Sequence, residues 1–463
     1  MPFINRLLSW ADAEPVRPAV VVGERTLSYG ELAARAAEYS PPEVPMIALE
    51  PADPIVFAVA LAAVVGRGRC AVVLDPAWPA AVRMRILTEL QLGDASLAGP
   101  GQASAGTALA DGAEDSLFYC GFTSGTTGVP KAFVRTVGSW SRSLERSVAY
   151  FGLAPGSRVF APGPLSASLS LYALAESLFA GATFHALDSR PEPLTGARMG
   201  EVLRSERIEH FVGVPAALRL GLQRAAGALP DLQCVVSGGS KLSDAETALI
   251  REAAPQARIF EYYGASELSL VTAKRLGALR TNDVGMPFPG VQLRIQDSGT
   301  DEHGTVWVRT DTAIEGYLSG DDGLAFQRKG DWVTVGDQGW IDDAGALHLT
   351  GRRADMVVSA GTNVYPTEVE LALAAAGYPL AVAFGVPDPQ RGSSIAAVIE
   401  VGTDTSIDGA RIREQLRATL SAAKVPRALY RTARIPVTAA GKPDRVGLRN
   451  LILAGDGALE RIR

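Results

Sequence analysis

Between Met46 and Tyr262 short apolar runs alternate with stretches of helical periodicity, and that alternation leaves few folds open. It predicts strands over 46–49, 70–74, 117–119, 158–161, 183–187, 210–214, 234–237 and 258–262. Helices are predicted over 54–65, 139–151, 169–180, 198–205, 215–225 and 244–253. Apolar strands joined by helices run largely parallel and need cover on both faces. One sheet of that many strands would be unusually wide, so two sheets are expected. Ahead of them, 19–22 and 24–27 read as a hairpin turning through Gly23, and Ser28 is placed to cap a helix starting at Tyr29.

At Gly285 the texture changes. Residues 291–295 and 305–309 alternate between Gly/Asp turns, the pattern of a small antiparallel β unit over about 285–350. Past Gly351-Arg352-Arg353 the pattern is a compact tail, with helices over 366–376 and 407–423 and strands over 380–386 and 395–401. The fold class is therefore α/β. A large N-terminal domain over 1–352 is built of two mostly parallel sheets flanked by helices, plus the β unit; a small α+β domain follows over 353–463. The 463 residues are enough for such a division.

Composition narrows the partners. A net charge of −6 and a pI near 5.5 supply no basic face for nucleic acid. The longest apolar run, 55–66, falls far short of the roughly 20 residues that span a bilayer, and the N-terminus does not read as a signal peptide. Neither membrane insertion nor export is expected. Cys70, Cys120 and Cys234 stand singly beside apolar runs, which reads as buried thiols in a reducing cytoplasm and as neither a disulfide framework nor a zinc site.

The stretch that carries chemistry is 121–131, Gly-Phe-Thr-Ser-Gly-Thr-Thr-Gly-Val-Pro-Lys, entered from an apolar strand and followed by a helix. Gly121, Gly125 and Gly128 let an anion approach backbone amides closely. The hydroxyls of Thr123, Ser124, Thr126 and Thr127 can donate to phosphate oxygens or offer a lone pair to Mg2+. Lys131 adds a compact positive charge. The spacing G-x-x-x-x-G-K-[ST] is absent, so this is a polyphosphate loop but not a Walker A loop. A flexible linker is the bland alternative, yet linkers rarely alternate Thr and Gly and close on Pro-Lys directly after a strand.

Residues 124–131 resemble the signature loop of the adenylate-forming superfamily: acyl-CoA synthetases, adenylation domains of peptide synthetases, and luciferases. Other segments resemble that family's motifs in the family's order. Glu261-Tyr262-Tyr263-Gly264-Ala265-Ser266-Glu267 is similar to its aromatic-Gly-x-Thr-Glu segment, with Ser266 in place of Thr. Tyr263 offers a face for adenine, and Glu267 joins Thr126 as an oxygen ligand for Mg2+. Gly238-Gly239-Ser240-Lys241 would pass its backbone along the adenine. Gly336-Asp337 resembles Thr-Gly-Asp, with Val335 in place of Thr; the acceptor-only carboxylate of Asp337 suits two ribose hydroxyls. Arg352 would reach the ribose or the phosphates. Residues 285–290 match Gly-x-Pro-x-Pro-Gly and read as architectural, and 436–442 looks like Pro-x-Thr-x-x-Gly-Lys.

Alone, Lys442 would read as a solvated surface lysine. As the family's lysine it is the catalytic residue, a fixed ammonium between an attacking carboxylate and the α-phosphate of ATP. The resemblance also implies that the tail is a mobile lid hinged just past Arg352, which withdraws Lys442 so that a thiol can attack the acyl-adenylate. The implied cofactors are ATP, Mg2+ and coenzyme A. His185, His210, His303 and His348 match no family motif and need no catalytic role.

Some positions depart from the pattern. The hinge holds Ala354 where the family has Asp or Lys, and Val358 and Asn363 stand where it is usually basic, which suggests a smaller or differently controlled lid movement. Amino-acid-activating relatives place an Asp near the helix start to pair with the ammonium; here that position is Ser168. A buried ammonium without a counter-charge is costly, so the expected substrate is a carboxylic acid without an α-amino group. Its pocket would involve Ser168, Phe211, Val214 and Gly238. The reading is an acyl-CoA synthetase. Its rivals are a ligase that loads a carrier protein in trans, an enzyme of one half-reaction, and a non-catalytic nucleotide binder.

Overall fold

A computed structural model describes residues 3–93, 108–123, 130–187, 196–225, 227–277, 281–296, 303–320, 323, 326–359, 362–388, 392–402, 407–438, 443–455 and 457–462. They form two compact units, one of 1–292 with 308–333 and one of 293–307 with 334–463.

Two sheets build the first unit, as the alternation implied. Among the described residues, one has nine strands, in the order Met286–Pro287, Ser269–Arg275, Arg258–Ala265, Cys234–Ser237, His210–Gly213, Arg158–Phe160, Thr183–His185, Pro18–Val22, Arg25–Ser28. From Arg258–Ala265 through Pro18–Val22 neighbouring strands are parallel. The other sheet runs Tyr317–Ser319, Lys131–Thr136, Leu117–Thr123, Cys70–Val73, Met46–Leu49. Its last three strands are parallel. Ser28 caps Tyr29–Glu38 in a reciprocal box with Glu31.

The helix Pro54–Gly66 accounts for the long apolar run. Every residue in it except Val56 is buried. It packs on Cys70–Val73 and Met46–Leu49 on one side and on Pro18–Val22 of the larger sheet on the other. A helix enclosed all round has no polar face to show. No described helix is long and apolar enough to cross a membrane, and all three cysteines are buried and unbridged.

Among the strands that escaped the sequence reading are Lys131–Thr136 and Ser269–Arg275. Each is the antiparallel return of a hairpin whose first strand was recognised. The helices Val137–Phe151 and Ser168–Ala180 meet through polar groups. Ser143 Oγ lies 2.8 Å from Tyr172 Oη and 2.7 Å from Ser269 Oγ, and Ser147 Oγ lies 2.9 Å from Tyr172 Oη. One turn further on, Glu176 is buried, and burial pushes its carboxyl up to about 7 against a hydrogen bond from Ser147.

In the second unit, Gly304–Arg309 pairs through Gly304 and Thr305 with Asp337–Ile341, which pairs in turn with Leu347–Arg352. A four-stranded sheet follows: Ala381–Asp388, Gly392–Glu400, Ala428–Thr432, Glu460–Ile462. Strand alternation feeds two cores. Ile395, Ala397 and Ile399 face the one that holds Val369 and Leu373; Ala396 and Val398 face the one that holds Leu448. Glu370, half-buried, takes both Nη2 contacts of Arg445 at 2.6 and 2.8 Å and the Ala383 amide at 2.8 Å, which ties the helix Pro366–Ala375 to the sheet.

Glu176 gives a pH test of this core. A carboxyl raised on folding binds its proton more tightly in the native state, so its contribution is full below the unfolded value, near 4.5, and is lost as pH rises through about 7. Glu176→Gln removes that loss. In urea melts the variant should exceed the parent at pH 8 by on the order of 1–3 kcal/mol, and the two should converge at pH 4.5.

Candidate active site

The strands Leu117–Thr123 and Lys131–Thr136, on either side of the Gly/Thr-rich sequence, pair antiparallel. Thr123 and Lys131 are Cα partners, so the strand pairing holds both ends of that sequence together. Ser124, Gly125, Thr126, Thr127 and Gly128 lie outside the described residues, as does Lys442. Gly121 is required by packing: a Cβ there would fall 2.2 Å from Tyr119 Oη and 2.6 Å from Phe133 Cζ.

Beside the hairpin stands Tyr317, on the strand that pairs with Lys131–Thr136. Its hydroxyl donates to Glu267 Oε1 and lies 3.4 Å from Thr123 Oγ1. Lys131 Nζ is 5.8 Å from the centre of its ring. Glu267 is 7% exposed and Lys131 4%, so the carboxylate and the ammonium are both largely withdrawn from water. Ser266 Oγ is 3.0 Å from Ser168 Oγ at the start of the helix Ser168–Ala180. Thr123, Lys131, Ser168, Ser266 and Glu267 are thus brought to one place.

Arg135 anchors the segment from below. It is 2% exposed and donates to the carbonyls of Ser266 and Thr312. Burial pulls its guanidinium down to about 10 and the negative charge of Glu267 opposes that, so it remains a cation at neutral pH. The turn beyond Glu267 is tight, with Ser269 at φ 65°. At Gly264, a Cβ would meet Ser269 O at 2.3 Å.

The other expected residues are distributed as follows. Tyr262 lies across the end of Cys234–Ser237, where a Cβ on Gly238 would come within 2.3 Å of its Cζ. Gly239 turns at φ 84° and Ser240 is exposed. Glu261 accepts from Leu242 N at 2.6 Å and lies 3.5 Å from Lys274 Nζ. Lys241 Nζ donates to Thr281 O at 3.1 Å. Tyr263, half-buried, is opposite Thr272. In the second unit, Arg352 Nε donates to Asp337 Oδ1 at 2.8 Å across paired strands, with Asp337 buried.

One expectation needs correcting. Phe211 does not line a pocket. It has 0% exposure and stacks on Phe160 at 5.4 Å, in a core under the helix Pro215–Ala225. Strand alternation turns it to the helix-covered face. Val214, just beyond the strand, accepts from the Ala217 and Leu218 amides as that helix begins.

Tyr317 and Arg135 were missed. Arg135 had a signal, a lone charge closing the apolar run Ala132-Phe133-Val134; Tyr317 sits in Glu-Gly-Tyr-Leu, which carries no such signal.

A family model described as AMP-binding enzyme matches residues 92–318, and its C-terminal domain model matches 371–442. The chain belongs to the AMP-binding enzyme family. Among curated members of the family, the uncharacterized acyl-CoA ligase YhfT of Bacillus subtilis is 30% identical over 334 residues, 70% of this chain and 66% of that one. The putative long chain fatty acid-CoA ligase VraA of Staphylococcus epidermidis is 30% identical over 342 residues, 74% and 73% of the two chains. Among solved structures, the o-succinylbenzoate coenzyme A synthetase MenE of Bacillus subtilis, in complex with ATP and magnesium ion, superimposes with a TM-score of 0.80. At 22% identity, covering 96% of this chain and 98% of that one, the likeness carries the fold.

The site fits Mg2+ by its donors: one buried carboxylate, Glu267, with neighbouring hydroxyls. No cluster of three or more His, Cys, Asp or Glu suited to a metal occurs among the described residues. Mg2+ is commonly held by one or two carboxylates together with substrate phosphates.

Removing the buried fork should be costly. Arg135→Met leaves the Ser266 and Thr312 carbonyls without their donor and should lower stability by roughly 2–5 kcal/mol in urea melts. Arg135→Lys should recover part of the loss.

Proposed function

We propose that this chain is an ATP-dependent acyl-CoA synthetase that converts a carboxylic acid without an α-amino group to acyl-AMP and then to its CoA thioester. The observation that carries the reading is the meeting of Thr123, Lys131 and Glu267 around one tyrosine, the first and last at its hydroxyl and the lysine over its ring. A cation, hydroxyls and a carboxylate at that spot match a polyphosphate with its divalent ion.

In the first step a carboxylate oxygen of the acid bonds to the α-phosphorus of ATP and the bond to the bridging oxygen breaks, releasing pyrophosphate. Thr123 and Lys131, with Ser124, Gly125, Thr126, Thr127 and Gly128, take the phosphates. Glu267 and Thr126 would hold Mg2+, which supplies charge neutralisation on the phosphate oxygens. Tyr263 takes the adenine, flanked by Gly239 and Gly264. Asp337 and Arg352, already paired, take the ribose. Lys442 stabilises the charge that develops as acid meets phosphorus. In the second step the CoA sulfur bonds to the acyl carbon, the bond to AMP breaks, and the thiol proton passes to solvent. Pantetheine thiol is a fair nucleophile and AMP a good leaving group, so positioning dominates.

Ser168 supports the choice of acid. Its hydroxyl is neutral and is paired with Ser266, which gives an α-ammonium no counter-charge. The second domain, hinged past Arg352, acts as the lid that brings Lys442 in and takes it away. A cytoplasmic location follows from the demand for ATP and CoA.

Acid-dependent AMP formation over a panel of carboxylic acids, with and without CoA, tests the reading. Thioester should form with free CoA; activity only with a phosphopantetheinylated carrier would transfer the assignment to a carrier-loading ligase. Lys442→Ala should reduce pyrophosphate release at least about a hundredfold; an unaltered rate would remove the mechanism. Ala354→Asp should change the ratio of adenylation to thiolysis, measured by pyrophosphate exchange against turnover of synthetic acyl-adenylate.

A further inference from the structure

Tyr317 lies outside the residues assigned above to phosphate, metal, adenine or acid, yet several of them converge on it. Its hydroxyl donates to Glu267 Oε1, Thr123 Oγ1 stands 3.4 Å from the same oxygen, and Lys131 Nζ lies 5.8 Å from the ring centre. With the phenolic proton on the carboxylate, the Thr123 hydroxyl is the donor toward the phenolic oxygen. A continuous chain of hydroxyls therefore runs from Thr123, the last residue of its strand, to the carboxylate in the turn between Arg258–Ala265 and Ser269–Arg275 of the other sheet.

The backbone leaves this tyrosine little freedom. Tyr317 is opposite Phe133 in the pairing with Lys131–Thr136, and Ser319 opposite Ala132. Three residues earlier, Ile314 N donates to the carbonyl of Glu267 itself at 2.8 Å. The segment 314–317 thus grips Glu267 twice, once at its main chain and once at its carboxylate. Arg135 fixes the same region through Ser266 O and Thr312 O.

We propose that Tyr317 is a positioning residue for the adenylation step. Its hydroxyl sets the rotamer of Glu267 and holds the carboxylate on the side of Thr123, so that magnesium-dependent ATP binding relies on a group that touches neither the nucleotide nor the acid. The assignment rests on the proposed function. It predicts a specific pattern: losing the hydroxyl should weaken ATP binding only through Glu267 and only when the divalent ion is present. A tyrosine that merely packed would affect folding or all ATP binding alike.

Calorimetric titration of the full chain with ATP, in Mg2+ and in EDTA, tests it. Tyr317→Phe keeps the ring that Lys131 faces and deletes the hydroxyl. Binding should weaken about tenfold in Mg2+, the typical worth of a hydrogen bond to a charged group, and stay within about twofold in EDTA. In a Glu267→Gln background the same change should add nothing. Equal losses in both media, or additive losses in the double variant, would overturn the assignment. As a check that does not depend on how Tyr317→Phe folds, isosteric 3-fluorotyrosine at position 317 carries a fluorine resonance. It should shift on adding ATP with Mg2+ and not with ATP in EDTA; a resonance that ignores the metal would also overturn it. Unmodified chain that binds ATP no better with Mg2+ than with EDTA would remove the proposed function and this inference together, whereas metal-dependent binding unaffected by Tyr317→Phe removes the inference alone.

Discussion

The hairpin that closes at Thr123 and Lys131 is the constraint on which the rest of the site depends. Thr123 and Lys131 are held opposite each other, which fixes the span that the chain between them has to close. The pairing also decides where the lysine sits, four residues before Arg135 on the same return strand. Because that strand in turn pairs with Tyr317–Ser319, one run of backbone hydrogen bonds places the ammonium, the guanidinium and the tyrosine in fixed relation. The side chains need only settle into positions the ladder has already defined.

Burial then acts on the charges so placed. Arg135 keeps its charge because two carbonyls accept from it and Glu267 lies near; without them an enclosed guanidinium would be strongly disfavoured. Glu176 shows the opposite outcome in the same unit. Its carboxyl is buried with little more than the Ser147 hydroxyl for support, and its proton is retained to near neutrality. The contrast is one of neighbours, since both groups are withdrawn from solvent.

Much of the fold was legible because apolar strands and helical periodicities alternate without ambiguity. Cys234–Ser237, Pro215–Ala225 and Asp244–Ala253 begin and end where the pattern says. The return strands were hidden for a physical reason. Ala132-Phe133-Val134 follows a Gly-rich loop and runs directly into a helix, leaving no turn residues to mark its end. Thr123, Lys131, Ser266 and Glu267, which the structure brings together, come from two segments that carry several chemically unusual residues in a row. The site was not legible at Tyr317, whose role arises from a pairing between strands nearly two hundred positions apart in sequence, as the separation from Thr123 shows. Phe211 was misjudged because a single apolar residue on a strand says nothing about which of two covered faces it occupies.

The helix Pro54–Gly66, enclosed between the sheets, carries a consequence for how such a chain can diversify. Apart from Val56, each position meets packed neighbours, so almost any polar replacement would strand a group away from water. Strand ends and their connecting turns face no comparable restriction. Over evolutionary time the interior element should therefore act as a ratchet against drift, while novelty in acid preference accumulates at the rims that it holds in place.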